Sequence, residues 1–544
     1  MKEPEIVSAT QEELDEILVR TKPHLSQQQY KLLEGVLSTF LYVMLKLQNA
    51  RSSIKRLRGM LFGDKTEHKS NLLGAVLEGG VEEGLIEAGL VTPVAALPTD
   101  TPNKPRAPGH GRNAASDYSG AATVECNHAE LKSGDSCPKC QKGRVYDSPP
   151  STLVKVVGQA PLGATVYKLE RMRCRLCDAV FTAPLPAAVA SLPKYDSSCA
   201  SMIALLRYGS GMPNYRLEGL QASLYVPLPD STQWDIVYKS MPAPRAVFQE
   251  LIIQGAQAPL LHNDDTPMKV LSLMAERARI EANGAKPARL GVNTSGVVAV
   301  LGTNKVALFI TGHKHAGENI ERVLAHRAQD LQPAIQMSDA LANNTTGIYK
   351  TILANCLAHG RRKVGDVAEQ FPEAARRVIE DLAEVYKHDS QCRDEALSAY
   401  DRLVLHQEKS KPIMDGLHRW IAEQFEQRLV EPNSGLGKAF RYLLKHWEPL
   451  TLFLRVSGSP LDNNICEQGL KRAVLHRKGS LFYKTMTGAE VGDVYMSLIH
   501  TCRLCEVNPL DYLNALQNHA AAVTKNAALW LPWNFRSQLT QSPG

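Results

Sequence analysis

The spacing of apolar and polar positions changes several times along the chain, and each change predicts a different kind of element. Residues 11–62 read as helix. From Leu33 the apolar positions fall at Leu33, Leu37, Phe40, Met44, Leu47, Ile54 and Leu61, interrupted by Arg51 and Arg58. Such a seam predicts a coiled-coil-like surface for self-association, and a long amphipathic helix packed on its own chain fits the same pattern. Between residues 91 and 120 the pattern stops. Pro93, Pro98, Pro102, Pro105 and Pro108 precede GHGR at 109–112, a composition that cannot bury a core and reads as a linker. Helical spacing returns over 197–250, with a turn at Pro227 and Pro229 and a second helix capped by Asp230 or Ser231. A helix-turn-helix and an ordinary helical hairpin share that spacing.

From Leu260 the runs become β-rich: LLHNDDTPMKVLSL, TSGVVAVLG and KVALFITGH, then a helical GENIERVLAHRA, then PAIQMSDA and TILANCLAH. Three strands in a meander, a helix, a fourth strand, a helix and a fifth strand is the order of an RNase H-like sheet. It puts Asp264 in the first strand and Asp339 at the end of the fourth. Asp264 and Asp265 point to opposite faces of their strand, and the alternation does not choose between them. Residues 366–457 are helical in pattern, with Trp420 and Trp447 on core faces, and form an insertion in the sheet fold. At its entrance, Cys356-Leu-Ala-His359 reads as a buried thiol and a hydrogen-bonded histidine, followed by Arg361, Arg362 and Lys363 free to meet DNA.

The chemistry concentrates in LDNNICEQGLKRAVLHRKGSLF, residues 461–482. A helix from near Asn464 places positions 467, 471, 474 and 478 on one face. Glu467 is then followed by Lys471, Arg472, His476, Arg477 and Lys478. One carboxylate among phosphate-neutralising cations suits magnesium chemistry on nucleic acid. Asn464-x-x-Glu467 also fits a capping box, in which the acid serves only the backbone. Beyond it, Gly488 to Cys505 reads as a helix that closes the core, with Cys502 and Cys505 as packing residues.

Carboxylates drawn from distant segments, here Asp264, Asp339 and Glu467, are how two magnesium ions are held for in-line displacement at phosphorus, with manganese able to substitute. A net charge of +6 permits a polyanionic partner without requiring one. Eleven cysteines, an odd number with two tight pairs, indicate metal ligands and reduced thiols. Cys137 and Cys140, with Cys174 and Cys177, have the spacing of a structural four-cysteine zinc ribbon, and VKVVGQ and ATVYKLERMR between them have strand character. Cys126 and His128 are alternative ligands, and Arg171, Arg173 and Arg175 suit a nucleic-acid contact. No apolar run approaches the length of a membrane span, and the polar, acidic start is not a targeting signal, so the expected location is cytoplasmic.

The expected fold class is multidomain α+β. Its parts are an N-terminal helical region (1–90), a linker (91–120), a zinc ribbon (121–185), a helical segment (186–255), an RNase H-like core in two pieces (256–365 and 458–544) and the helical insertion (366–457) between them.

LHNDDTP, IQMSDA, CLAHGRRK, LDNNICEQGLKRAVLHRKGSLF and LPWNF, with RLRGMLFGDKTEHK and the CxxC pairs upstream, together resemble the transposases of the insertion-sequence-66 family, bacterial DDE transposases. The resemblance covers most of the chain and is most specific at DNNxxE with its basic tail. It implies the triad Asp264, Asp339 and Glu467, favouring the first of the adjacent aspartates. It also implies cut-and-join chemistry on double-stranded DNA at the ends of the protein's own element, with accessory proteins of that element. A homodimer is expected because two DNA ends must meet. Lys471, Arg472, Arg477 and Lys478, with Arg361, Arg362 and Lys363, are the expected phosphate contacts. The chain departs from the family after the second acid, where it reads Asp339-Ala-Leu-Ala-Asn-Asn, and at Leu357 in the CxxH motif. A nuclease on the same sheet and a catalytically silent DNA-binding protein are the rival expectations.

Overall fold

In a computed structural model, residues 18, 20–31, 33–37, 121–124, 130–146, 148, 153–155, 159–173, 175, 180–286, 289 and 291–541 are described. The chain divides into two compact units, one comprising residues 73–161 and the other the rest. Most of the predicted coiled-coil seam, the 91–120 linker, Cys126, His128, Cys174 and Cys177 lie outside the described residues. Within the N-terminal segment the helix expected over 11–62 is interrupted. Pro23 lies in a 3-10 turn, Lys22–His24, and Leu25 is extended before helix resumes at residue 27. In the smaller unit, Ser136 and Arg144 form an antiparallel bridge around the first CxxC pair.

After residue 161 the larger unit has a two-stranded antiparallel sheet, β1 (Arg171–Arg173) and β2 (Val180–Thr182). Far fewer residues are strand than ATVYKLERMR predicted, and both strands are exposed throughout. After a one-turn helix, Ala187–Ala190, four longer helices follow: α1 (Ser197–Ala204), α2 (Asn214–Ser223), α3 (Asp230–Lys239) and α4 (Pro242–Ala256). The turn at Pro227 and Pro229 is where it was expected. Asp230 is the first residue of α3 and not its cap; that position is Pro229, which offers no side-chain acceptor.

A five-stranded mixed sheet forms the centre: β3 (Leu260–Pro267), β4 (Asn293–Leu301), β5 (Asn304–Gly312), β6 (Ile335–Ser338) and β7 (Ile352–Asn355). Their order across the sheet is β5-β4-β3-β6-β7, antiparallel from β5 to β3 and parallel from β3 to β7. Two elements correct the predicted order. The tail of the first run, LSL, opens helix α5 (Leu271–Ala282), which has no buried residue. Between β6 and β7 there is no α-helix, only a 3-10 turn at Ala342–Asn344. The predicted helix after β5 is α6 (Ala316–Leu324).

After β7 the chain enters α7 (Leu357–Gly365), α8 (Pro372–Asp394), α9 (Lys411–Glu426) and α10 (Gly435–Lys445). These build a core of their own around Val378, Leu382, Met414, Leu417, Phe440 and Leu443, with Trp420 and Trp447 packed against it. The chain returns through α11 (Asn464–Ser480), α12 (Met486–Leu504) and α13 (Pro509–Asn518). α12 closes the β5 edge with side chains. Asp493, Ser497 and Thr501, one turn apart, accept the Thr311, Phe309 and Ala307 amides at 2.7, 2.9 and 3.0 Å.

Candidate active site

The site lies where β3 and β6 run side by side. Their parallel register pairs Leu260 with Ile335 and His262 with Met337; continued two residues, it sets Asp264 level with Asp339 on the same face. One side chain links them. The Asn344 amide, from the 3-10 turn, donates to Asp339 Oδ1 at 2.6 Å and to Asp264 Oδ1 at 3.4 Å. Asn344 is itself fixed, since its carbonyl accepts from Asn263 at 2.7 Å and from Gln336 at 2.8 Å. The segment where the chain departs from the family pattern therefore supplies the bridge between two acids, and no sequence signal singled it out.

The structure separates the adjacent aspartates. Asp265 accepts from Ser295 Oγ at 2.6 Å and the Ala316 amide at 2.9 Å, and lies 3.0 Å from His315 Nδ1. It anchors the start of α6. Asp264 has turned to the other face. Burial, the first cause, and then the charges of Asp339, Glu467 and Asp265 push its carboxyl up to about 7, against a bond from the Asp265 amide that lowers it.

The helix that carries Glu467 lies beside the aspartates because the start of α11 is fastened to β3. Asn463 donates from its amide to the Asn263 carbonyl at 3.0 Å, and its Oδ1 meets His262 Nδ1 at 3.0 Å. The helix also lies tight on the sheet at Gly296, the partner of Asp264. A Cβ there would come within 2.9 Å of Leu470 Cγ, and the Cys466 thiol donates to the Gly296 carbonyl at 3.3 Å. The capping-box alternative fails, because the cap residue is Asn463, whose side chain makes no cap bond, and the Asn464 amide is taken by Asp462 Oδ1 at 3.1 Å. Glu467 instead turns toward α7, where Oε1 is 3.5 Å from His359 Nδ1 and Oε2 is 3.9 Å from Arg362 Nη2. Oε1 and Nδ1 are both buried without a hydrogen-bond partner, so the hydrogen-bonded histidine expected in the CxxH motif is not found. Among the described residues, Cys356, His359 and Glu467 have donor atoms that all lie within 4.8 Å of one another, and the three acids do not form such a set.

The expected cations divide into two groups. Lys471 and Lys478 are exposed on α11. Arg477 is bonded to Thr266 and Pro267, and Arg472 reaches the Gly209 carbonyl at 3.4 Å, so both help fasten α11 to its surroundings. His476 is no cation: it is stacked between Tyr208 and Tyr483, and burial pushes its pKa down to about 3. In the basic triplet, Arg361 lies over Tyr386 and Lys363 over Tyr442, while Arg362 faces Glu467. In the smaller unit, amides of Gly143 and Lys142 and the Cys137 side chain lower the pKa of the Cys140 thiol, the environment a metal-binding thiolate needs. Cys137 donates its own amide to the Gly143 carbonyl at 2.8 Å, and Gln141 follows with φ 54°.

Comparison with known proteins gives the class first. Residues 194–491 match the model of the transposase IS66 family, more than half of the chain, and the protein belongs to that family. Its relatives include uncharacterized proteins of Sinorhizobium fredii (strain NBRC 101917 / NGR234). Protein y4hP is 26% identical over 68% of this chain and 67% of its own length. Protein y4jD is 26% identical over 68% of this chain and 71% of its own length, and y4qI is 33% identical over 36% of each chain. No helix among the described residues is long and apolar enough to cross a membrane.

Proposed function

We propose that this transposase cuts and rejoins DNA at the ends of its own element, with Asp264, Asp339 and Glu467 as the metal-binding acids of an RNase H-like core. The observation that carries the reading is the Asn344 bridge, which holds Asp264 and Asp339 together within reach of the charge of Glu467. The strand order β5-β4-β3-β6-β7, with acids on adjacent central strands, supports it.

The residues fit a hard divalent cation. They offer oxygen donors only, and the carboxyl of Asp264, raised first by burial and then by the neighbouring acids, has the surroundings a divalent cation would relieve. Bound there, two magnesium ions would supply an activated oxygen nucleophile and charge neutralisation at the phosphorus, and manganese would substitute. The chain's own part is positioning. Asn344 fixes the Asp339 carboxylate, Asn463 anchors the helix that carries Glu467, and exposed Lys471 and Lys478 hold phosphate along the same helix. A structural zinc at Cys137, Cys140, Cys174 and Cys177, a homodimer and accessory proteins of the element belong to the same proposal.

The test is cleavage and strand transfer on DNA carrying the element ends. Wild-type protein should nick and join in magnesium, and Asp264→Asn, Asp339→Asn and Glu467→Gln should each lose at least about a hundredfold. Nicking without joining would favour a nuclease. Undiminished activity in any of the three variants would remove that residue from the site.

A further inference from the structure

We infer that Cys356, His359 and Glu467 form a second metal site, for one soft divalent cation of the zinc class, whose filling withdraws Glu467 from the two aspartates. The inference rests on the proposed role of Glu467 only in its second half; the binding site itself stands on the geometry.

Three donors of different type converge there. Cys356 is fully buried at the junction of β7 and α7, His359 follows one helical turn later, and Glu467 comes from α11. Their donor atoms all lie within 4.8 Å of one another. Two of them, His359 Nδ1 and Glu467 Oε1, are buried with no hydrogen-bond partner although they face each other at 3.5 Å. A buried polar atom without a partner is costly, and one cation held between these two atoms would satisfy both. Burial pushes the Cys356 thiol up to about 12, opposed by the Asn463 amide it receives at 3.2 Å, so it is the geometry of the three donors that makes Sγ a ligand. On binding, the Sγ–H bond breaks, its proton goes to solvent and its electron pair forms the sulfur–metal bond.

The donor set discriminates between ions. Thiolate and imidazole suit zinc, cobalt and their neighbours, whereas magnesium prefers the oxygens of Asp264 and Asp339. Glu467 is the one ligand both sites would use. Arg362, 3.9 Å from its other oxygen, adds a positive charge on the side away from the cation. A zinc-class ion would thus fix Glu467 in the orientation seen here, while the magnesium state would need it turned toward Asp264.

Cobalt titration of the full-length chain reads the site through thiolate-to-cobalt charge-transfer absorption, which needs neither DNA nor turnover. Unaltered protein should bind one equivalent more than His359→Ala, and Cys356→Ser should lose the same equivalent; residual binding at that equivalent should be weakened at least about tenfold. His359 is partly exposed, so its variant decides the matter if Cys356→Ser fails to fold. Equal cobalt binding by His359→Ala and the unaltered chain would overturn the site. For the second half, free manganese is followed by its paramagnetic resonance signal. One equivalent of zinc beyond that bound by His359→Ala should weaken manganese binding at least about tenfold, and unchanged manganese binding would overturn the withdrawal. Failure to cleave DNA would sink the transposition mechanism and leave the cobalt result standing; active cleavage with no such cobalt equivalent would sink this inference alone.

Discussion

At the scale of single residues, one amide side chain does the most to shape the site. Asn344 is buried, donates to both aspartates and is held by its own carbonyl, so it sets where the Asp339 oxygens face. Asn344→Ala should keep the fold and weaken manganese binding and strand cleavage by about 10–100-fold, the usual loss when a ligand's support is removed. Asn344→Gln should recover part of the manganese affinity. Full manganese affinity in the alanine variant would show that the bridge is incidental. The sequence offered Asp264, Asp339 and Glu467 as candidates and not this bridge, because an Asn in a polar turn has no distinguishing pattern. It also showed that Asp264 and Asp265 face apart without saying which faces where. That depended on Ser295, His315 and the Ala316 amide, partners 30 to 51 residues away that meet Asp265 only in the folded sheet.

At the scale of elements, the helix carrying Glu467 depends on a glycine in the strand beneath it. A methyl group at Gly296 would stand 2.9 Å from Leu470 Cγ and 3.4 Å from Cys466 Sγ. Gly296→Ala should therefore cost about 1–3 kcal/mol by overpacking and reduce cleavage more than it reduces DNA binding. Equal thermal midpoints for this variant and the wild type would refute the close approach. The pairing of α12 with β5 makes a separate prediction. Burial, opposed by bonds from Thr311, pushes the Asp493 carboxyl up to about 7 from an ordinary value of 3.8. The folded state thus holds a proton that the unfolded chain has released between about pH 4 and 7, and this group's contribution to stability falls as pH rises through that window. The slope is at most about 1.4 kcal/mol per pH unit. Asp493→Asn should flatten it in denaturant titrations, and an unaltered slope would rule the group out.

The helical insertion and α11 were legible because their apolar spacing is sustained. α5 was missed for the opposite reason. None of its residues is fully buried, and its first residues continue the apolar run that follows β3, so nothing marked where strand gave way to helix. The helix expected between β6 and β7 is replaced by a turn whose polar residues serve the acids.

At the scale of the whole molecule, the mild positive charge acts through a few exposed positions. Lys471 and Lys478 are exposed on α11, whereas Arg472 and Arg477 are engaged within the protein. Replacing either lysine by alanine should lower the slope of log affinity against log salt by about one and weaken binding to unrelated sequences as well. A salt slope unchanged in both variants would move the DNA path off this helix.

The three side chains of α12 that cap the β5 amides have a consequence for assembly. A bare strand margin invites a foreign segment to zip onto it, whereas here those donors are already occupied by a hydroxyl or a carboxylate from within. Any copy that enlarged this sheet would have to join beside the short β7, at the opposite rim.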